Sequence, residues 1–315
     1  MSGLVTLGET MVALSPDRIG PLRHARSLNV SVAGSESTVA IGVARLGHPS
    51  TWIGRVGQDE FGSLVTATLA GEGVRTCAVV DAHAPTGLMV KEQRTGDLRR
   101  VQYYRDGSAG SRLRPEDAPA DVVRSARVLH VSGITLALSS TSAAAVRGAV
   151  DLARASGVVV SFDLNHRAML WTTERARTAL REMLALADLV FASDDEARLV
   201  LDTDEPDPAV LAARLRDHGT STAVVTLAAA GAVAVDPSGT VRATAPTVTE
   251  VDPLGAGDSF VAGYLAALLD GAAAPDRLTT AVAVAALSVG AHGDWEGLPT
   301  RAELGLVTAP GTVTR

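Results

Sequence analysis

The run Val251-Asp252-Pro253-Leu254-Gly255-Ala256-Gly257-Asp258-Ser259 holds the residues of this chain best suited to chemistry. Gly255, Ala256 and Gly257 let main-chain N–H groups come close to a phosphate. The apolar-periodic helix that begins near Gly257 leaves its first amides unpaired, with the positive end of its dipole outward. Such preorganised donors would stabilise a migrating phosphoryl group. Asp258, on the rim, is placed to accept the proton of an attacking hydroxyl. An unperturbed Asp titrates at about 4, and a helix N-terminus favours its charged form, so at neutral pH its role leans on positioning the hydroxyl. Gly-Ala-Gly-Asp alone is equally a plain helix start with glycines for close packing. The longer run is what makes the signal specific.

Asp252-Pro253-Leu254-Gly255-Ala256-Gly257-Asp258, followed by Ala262-Gly263-Tyr264-Leu265, resembles the C-terminal signature of the ribokinase (PfkB) family of sugar kinases. The resemblance spans about Leu4 to Leu304, and several segments look like one branch, the 2-keto-3-deoxygluconate kinases. It implies a ribokinase-like three-layer α/β/α fold with a mainly parallel sheet and a small β-sheet lid. It also implies ATP and Mg2+, and γ-phosphoryl transfer to a primary hydroxyl of a sugar acid. Asp258 would then be the base, and the four amides from Gly255 to Asp258 the anion hole, with Gly255, Ala256 and Gly257 also meeting the nucleotide.

Other clusters fall at predicted strand ends, where ligands sit in open α/β sheets. Ala33-Gly34-Ser35-Glu36 through Gly47 is similar to the family's N-terminal signature, with Gly34 against the sugar. It departs at Ala33, where Gly is usual, and at Thr38, where Asn is usual; Thr offers one polar atom in place of two. In Tyr103-Tyr104-Arg105, strand alternation puts Tyr103 and Arg105 on one face, and an Arg can grip a carboxylate bidentately. The same triplet resembles the sugar-acid branch, which adds Tyr104 to the substrate set. Asp163-Leu164-Asn165-His166-Arg167 resembles that branch's Asp-x-Asn-x-Arg, which makes Arg167 a second cation and puts Asn165 on the nucleotide side; His166 is a bystander. Ser193-Asp194-Asp195-Glu196 stands where Asn-x-x-Glu is usual, with Glu196 holding Mg2+ through water and Ser193 beside the nucleotide. An acidic first helical turn explains this segment equally well on local grounds. Thr226 and Gly231 flank the nucleotide turn, although Ala228 replaces a usual Gly and is tolerable only if its φ stays negative. Asp294, in Gly293-Asp294-Trp295, is implied to face the sugar.

The elements that must carry these residues follow from periodicity. Leu4–Gly8, Trp52–Val56, Val128–Val131, Val158–Asp163, Leu189–Ala192, Ala223–Leu227 and Thr247–Val251 read as strands. Helices are predicted over Thr38–Leu46, Ser142–Ala155, Glu174–Leu186, Asp194–Leu201, Pro208–His218, the run after Gly257, and an Ala-rich stretch from Pro275. This βα alternation implies a mainly parallel sheet with helices on both faces. Residues 12–32 and 85–110 turn strand-like, with a turn at Thr95-Gly96-Asp97, and read as the lid beside a core of 1–11, 33–84 and 111–308. The lid's open sheet edges suit a homodimer or higher oligomer.

Composition sets the frame. The 315 residues carry 28 Lys+Arg against 35 Asp+Glu, a net charge of −7, with no basic block, which argues against nucleic-acid or anionic-membrane partners. Hydrophobic residues are 46% and aromatics 3%, so the core is aliphatic. Apolar runs fall short of the roughly 20 residues of a membrane span, and the N-terminus lacks a basic region before its apolar stretch, so a cytoplasmic protein is expected. Cys77, the single cysteine, is read as inert. No P-loop and no Gly-x-Gly-x-x-Gly occurs. Two alternatives stand beside the sugar-acid kinase: a fructokinase- or ribokinase-like enzyme for a neutral sugar, and a weakly catalytic sugar-binding regulator, motivated by Thr38 and Ala228.

Overall fold

A computed structural model describes residues 2–95 and 98–308. Among them, nine strands line up in the spatial order Gly239–Ala243, Ala232–Asp236, Thr222–Thr226, Leu189–Ser193, Val159–Asp163, Ala126–Ser132, Ser2–Leu7, Ser50–Gly57 and Arg75–Asp81. Neighbours run parallel except at the hairpin edge formed by the first two. Strand alternation sends Leu4 into one apolar core and Val5 and Leu7 into the other. Helices Ser140–Ala155 and Thr173–Leu184 cover one face; Ser35–Arg45, Ala256–Leu269 and Ala274–Ser288 cover the opposite one. The result is the three-layer α/β/α arrangement.

A separate four-stranded sheet, in the order Leu28–Ala33, Met11–Pro16, Leu88–Gln93, Arg99–Tyr104, forms the lid. One face turns Met11, Ala13, Ala33, Met89, Val101 and Tyr103 inward as a small apolar cluster. The turn expected at Thr95-Gly96-Asp97 lies partly outside the described residues.

Two expectations are corrected, and one short helix is added. The first core helix begins at Ser35 rather than Thr38, because Ser35, Glu36 and Ser37 are buried and find polar partners there instead of behaving as a solvated loop. Thr247–Val251 is not a strand: the amides of Val251 and Asp252 both donate to the Val289 carbonyl, at the end of Ala274–Ser288, so no ladder can form. A short helix, Gly133–Leu138, precedes Ser140–Ala155; the Ser132 side chain caps it.

Candidate active site

Ser2–Leu7 lies between Ala126–Ser132 on one side and Ser50–Gly57 on the other, so the sheet's connections reverse direction there. A cleft opens outside the carboxyl ends of these strands, where such a fold places its ligands. Helices Ser35–Arg45 and Ala256–Leu269 pack side by side, with Ala262 against Gly42, and their N-termini meet at this cleft. Ser35 Oγ donates to Asp258 Oδ1 at 2.5 Å. Asn165, whose φ of +35° falls in the left-handed region that Asn tolerates, donates from Nδ2 to Ser35 Oγ at 2.9 Å. The same nitrogen lies 3.3 Å from both Asp258 Oδ1 and Asp163 Oδ2. Its side-chain amide therefore braces Asp258 at the mouth of the cleft.

Gly255 caps Ala256–Leu269 at φ +76°, and a Cβ there would come 2.1 Å from the Asp294 carbonyl oxygen. Only glycine meets both demands. The expected four-amide cradle needs one correction: the Ala256 N–H closes a turn onto the Pro253 carbonyl at 3.2 Å. The amides of Gly255, Gly257 and Asp258 have no partner among the described residues, so they are the donors left at the positive helix end.

Electrostatics change the reading of Asp258 as a weak base. Burial pushes its pKa up to about 6, and Asp294 adds to the rise, while the Ser35 and Asn165 hydrogen bonds and the Arg167 charge hold it back. Asp163 is raised well above the usual carboxylate range, first by burial and then by repulsion from Glu196 and Asp258. Glu36 is also raised by burial, although Ser132 and Thr135 donate to it at 2.7 and 2.6 Å.

The cleft is lined by Gly34, Tyr103, Arg105, Arg167, Gly255, Asp258 and Asp294, together with residues the sequence reading passed over. Arg105 is not a free grip for a carboxylate: its Nε donates to Glu9 Oε2 at 2.8 Å, and its guanidinium lies over the Tyr103 ring, 5.5 Å from the centroid. Asp294 lines the cleft, but Oδ1 is held by Lys91 Nζ at 2.5 Å. Arg167, exposed on the rim, has no salt-bridge partner among the described residues. Tyr104 does not enter the cleft. Alternation along Arg99–Tyr104 turns it to the lid's other face, where it is 55% exposed.

On the adjoining strand ends, Ser193 and Thr226 sit opposite each other in register. Ser193 caps helix Asp194–Leu201 in a capping box, and both Glu196 oxygens accept backbone amides, from His166 at 2.7 Å and Ser193 at 2.8 Å. No group of three His, Cys, Asp or Glu side chains able to enclose a metal occurs among the described residues. Asp163 and Glu196 nonetheless repel one another, a situation that a divalent cation relieves. This donor set suits Mg2+, which takes few protein ligands and keeps much of its water. In the turn beyond Thr226, Ala228 adopts φ +47° and Gly231 φ +101°, so the condition of a negative φ at Ala228 is not met.

Glu9, Ser35, Glu36 and Lys91 are site residues the sequence reading did not single out. Glu9 and Glu36 carried a usable signal, each an acid flanked by glycine or serine at the end of an apolar strand or the start of a helix. Ser35 lay inside the quoted N-terminal signature without a role of its own, and Lys91 carried no signal.

A cleft at a sheet switch point, a helix N-terminus with open amides and a raised carboxylate beside it define a phosphoryl-transfer enzyme acting under a lid. Residues 1–301 match the family described as pfkB family carbohydrate kinase, and the chain belongs to that family. It is 38% identical to the 2-dehydro-3-deoxygluconokinase of Thermoproteus tenax, over 96% of this chain and 93% of that one. It is 35% identical to the 2-dehydro-3-deoxygalactonokinase of Haloferax volcanii, over 92% of each. Among solved structures, a PfkB protein from Polaromonas sp. JS666 superposes with a TM-score of 0.88 at 37% identity, covering 97% of this chain and 99% of its own. An uncharacterised sugar kinase from Pyrococcus horikoshii in complex with ATP gives a TM-score of 0.84 at 27% identity, covering 96% and 97%. The protein is thus a carbohydrate kinase with the ribokinase-like fold, and no helix among its described residues is long and apolar enough to cross a membrane.

Proposed function

We propose that the protein phosphorylates a sugar acid at a primary hydroxyl, using ATP, with 2-keto-3-deoxygluconate as its substrate, a reading supported by the name of the Thermoproteus tenax relative. The observation that carries this reading is Asp258, a carboxylate held by Ser35 and Asn165 at an open helix N-terminus with a pKa of about 6. Asp258 orients the acceptor hydroxyl and takes its proton as the oxygen–phosphorus bond forms and ADP departs. The Gly257 and Asp258 amides hold the developing phosphoryl charge. Gly34, Tyr103, Arg105 and Arg167 hold the sugar acid. Thr226, Gly231 and Ser193 border the nucleotide. Bound Mg2+, approached through water by Glu196 and Asp163, would neutralise phosphate charge.

The neutralising contact of Glu9 with Arg105 favours a second reading, a kinase for a neutral sugar. Coupled ADP-release assays over a panel of 2-keto-3-deoxy sugar acids, fructose and ribose decide between them: preference for the acids supports the first reading, and preference for fructose or ribose refutes it. A homodimer through the lid belongs to the same proposal. Leu28, Val30 and Tyr104 are exposed apolar residues of the lid sheet, and light scattering that gives a monomer would count against it.

A further inference from the structure

Glu9 follows the first strand in Gly8-Glu9-Thr10 and is 2% exposed, yet no step of the phosphoryl transfer uses it. Its Oε2 accepts from Arg105 Nε at 2.8 Å, with Arg105 Nη2 2.5 Å from the same oxygen. Its Oε1 accepts from Ser108 Oγ at 2.5 Å. Gly110 approaches so closely that a Cβ there would lie 2.2 Å from Glu9 Cγ, so the backbone itself is shaped around this carboxylate. On its other side the guanidinium is backed by the Tyr103 ring. Arg105 Nη1 has no partner among the described residues, and Arg105 lines the cleft.

A free arginine samples many rotamers, and ordering one on binding weakens affinity unless the protein has already fixed it. A guanidinium clamped through Nε keeps its Nη1 hydrogens for a ligand in one direction. We propose that Glu9 is a positioning residue for substrate recognition: it holds Arg105 against Tyr103 so that the remaining N–H donors meet a keto or carboxylate oxygen of the sugar acid. Because Glu9 cancels the Arg105 charge, Arg105 supplies direction and the exposed Arg167 supplies attraction for the anion. This inference rests on the sugar-acid reading above.

The test is a double-mutant cycle in the whole enzyme: Glu9→Gln, Glu9→Asp, Arg105→Ala and the Glu9→Gln/Arg105→Ala pair, with KM for sugar acid, KM for ATP and kcat read separately. Glu9→Gln, Glu9→Asp and Arg105→Ala should each raise the sugar KM about tenfold or more, with kcat within about threefold and the ATP KM unchanged. In the Arg105→Ala background, Glu9→Gln should add nothing, since its effect runs through Arg105. The proposal is overturned if both Glu9 variants keep the wild-type sugar KM, if Glu9→Gln multiplies fully with Arg105→Ala, or if neither Glu9 variant yields folded protein. Failure of the sugar-acid reading looks different: wild-type enzyme would turn over no sugar acid, and the same cycle would then be run on the sugar it does phosphorylate.

Discussion

Ser35 and Asp258 stand 223 residues apart in the chain, and the Ser35 hydroxyl donates to the Asp258 carboxylate at 2.5 Å. Each residue lies in the first turn of its helix, and the two helices pack against one another, so the bond ties two helix N-termini into one anion-facing site. Asn165 closes the arrangement from just beyond the end of the strand Val159–Asp163.

The pH dependence of turnover follows from the Asp258 carboxylate. The base must be unprotonated, and burial lifts its pKa to about 6, so kcat/KM should fall on the acid side with a midpoint near that value. Asp258→Asn should lower kcat by roughly 10³ or more while sugar binding persists in calorimetry. Activity of the Asn variant close to wild type would remove Asp258 from its role.

Asp294 raises the Asp258 pKa through its charge. Asp294→Asn should therefore move the acid limb of the profile to lower pH. A limb that stays in place or shifts upward would contradict the electrostatic link between the two carboxylates.

The same raised pKa carries a stability consequence of definite sign. A carboxyl group whose folded pKa exceeds its unfolded value destabilises the fold once pH rises above the unfolded value, with the full penalty reached above the folded one. Asp258→Asn should accordingly be more stable than wild type at pH 7.5, by up to about 3 kcal/mol at roughly 1.4 kcal/mol per pKa unit. That gain should vanish near pH 4. Thermal melts at the two pH values read it directly.

Ala228 holds φ +47°, a conformation that costs an L-residue about 1–2 kcal/mol. Glycine removes that strain but adds about 0.5–1 kcal/mol of unfolded-chain entropy. Ala228→Gly should thus stabilise the protein by about 0.5–1 kcal/mol and lower the KM for ATP. An unchanged melting temperature and KM would show that the turn is not strained where the nucleotide is proposed to lie.

Arg167 lies exposed on the cleft rim with no salt-bridge partner among the described residues. Arg167→Ala should raise KM for a sugar acid by about tenfold to a hundredfold and leave KM for any neutral sugar almost unaltered, the expected outcome of removing one charged hydrogen-bonding partner. Equal losses for both substrates would assign Arg167 to phosphate instead.

The fold and the carboxylate proposed to react were legible in the sequence because both are written in local terms. Apolar periods of two and of about three and a half residues mark strands and helices, and Gly255-Ala256-Gly257-Asp258 sits where one such helix starts. Asp258, Gly34, Tyr103, Arg105, Arg167 and Asp294 line one cleft. What the tertiary structure alone decided is which polar groups satisfy one another. The partnership of Arg105 with Glu9, of Asp294 with Lys91, of Asn165 with Ser35, and the turn that consumes the Ala256 amide all depend on distances between segments far apart in the chain. The basicity of Asp258 belongs to the same class, since desolvation is a property of everything packed around a carboxylate and of no residue beside it in sequence.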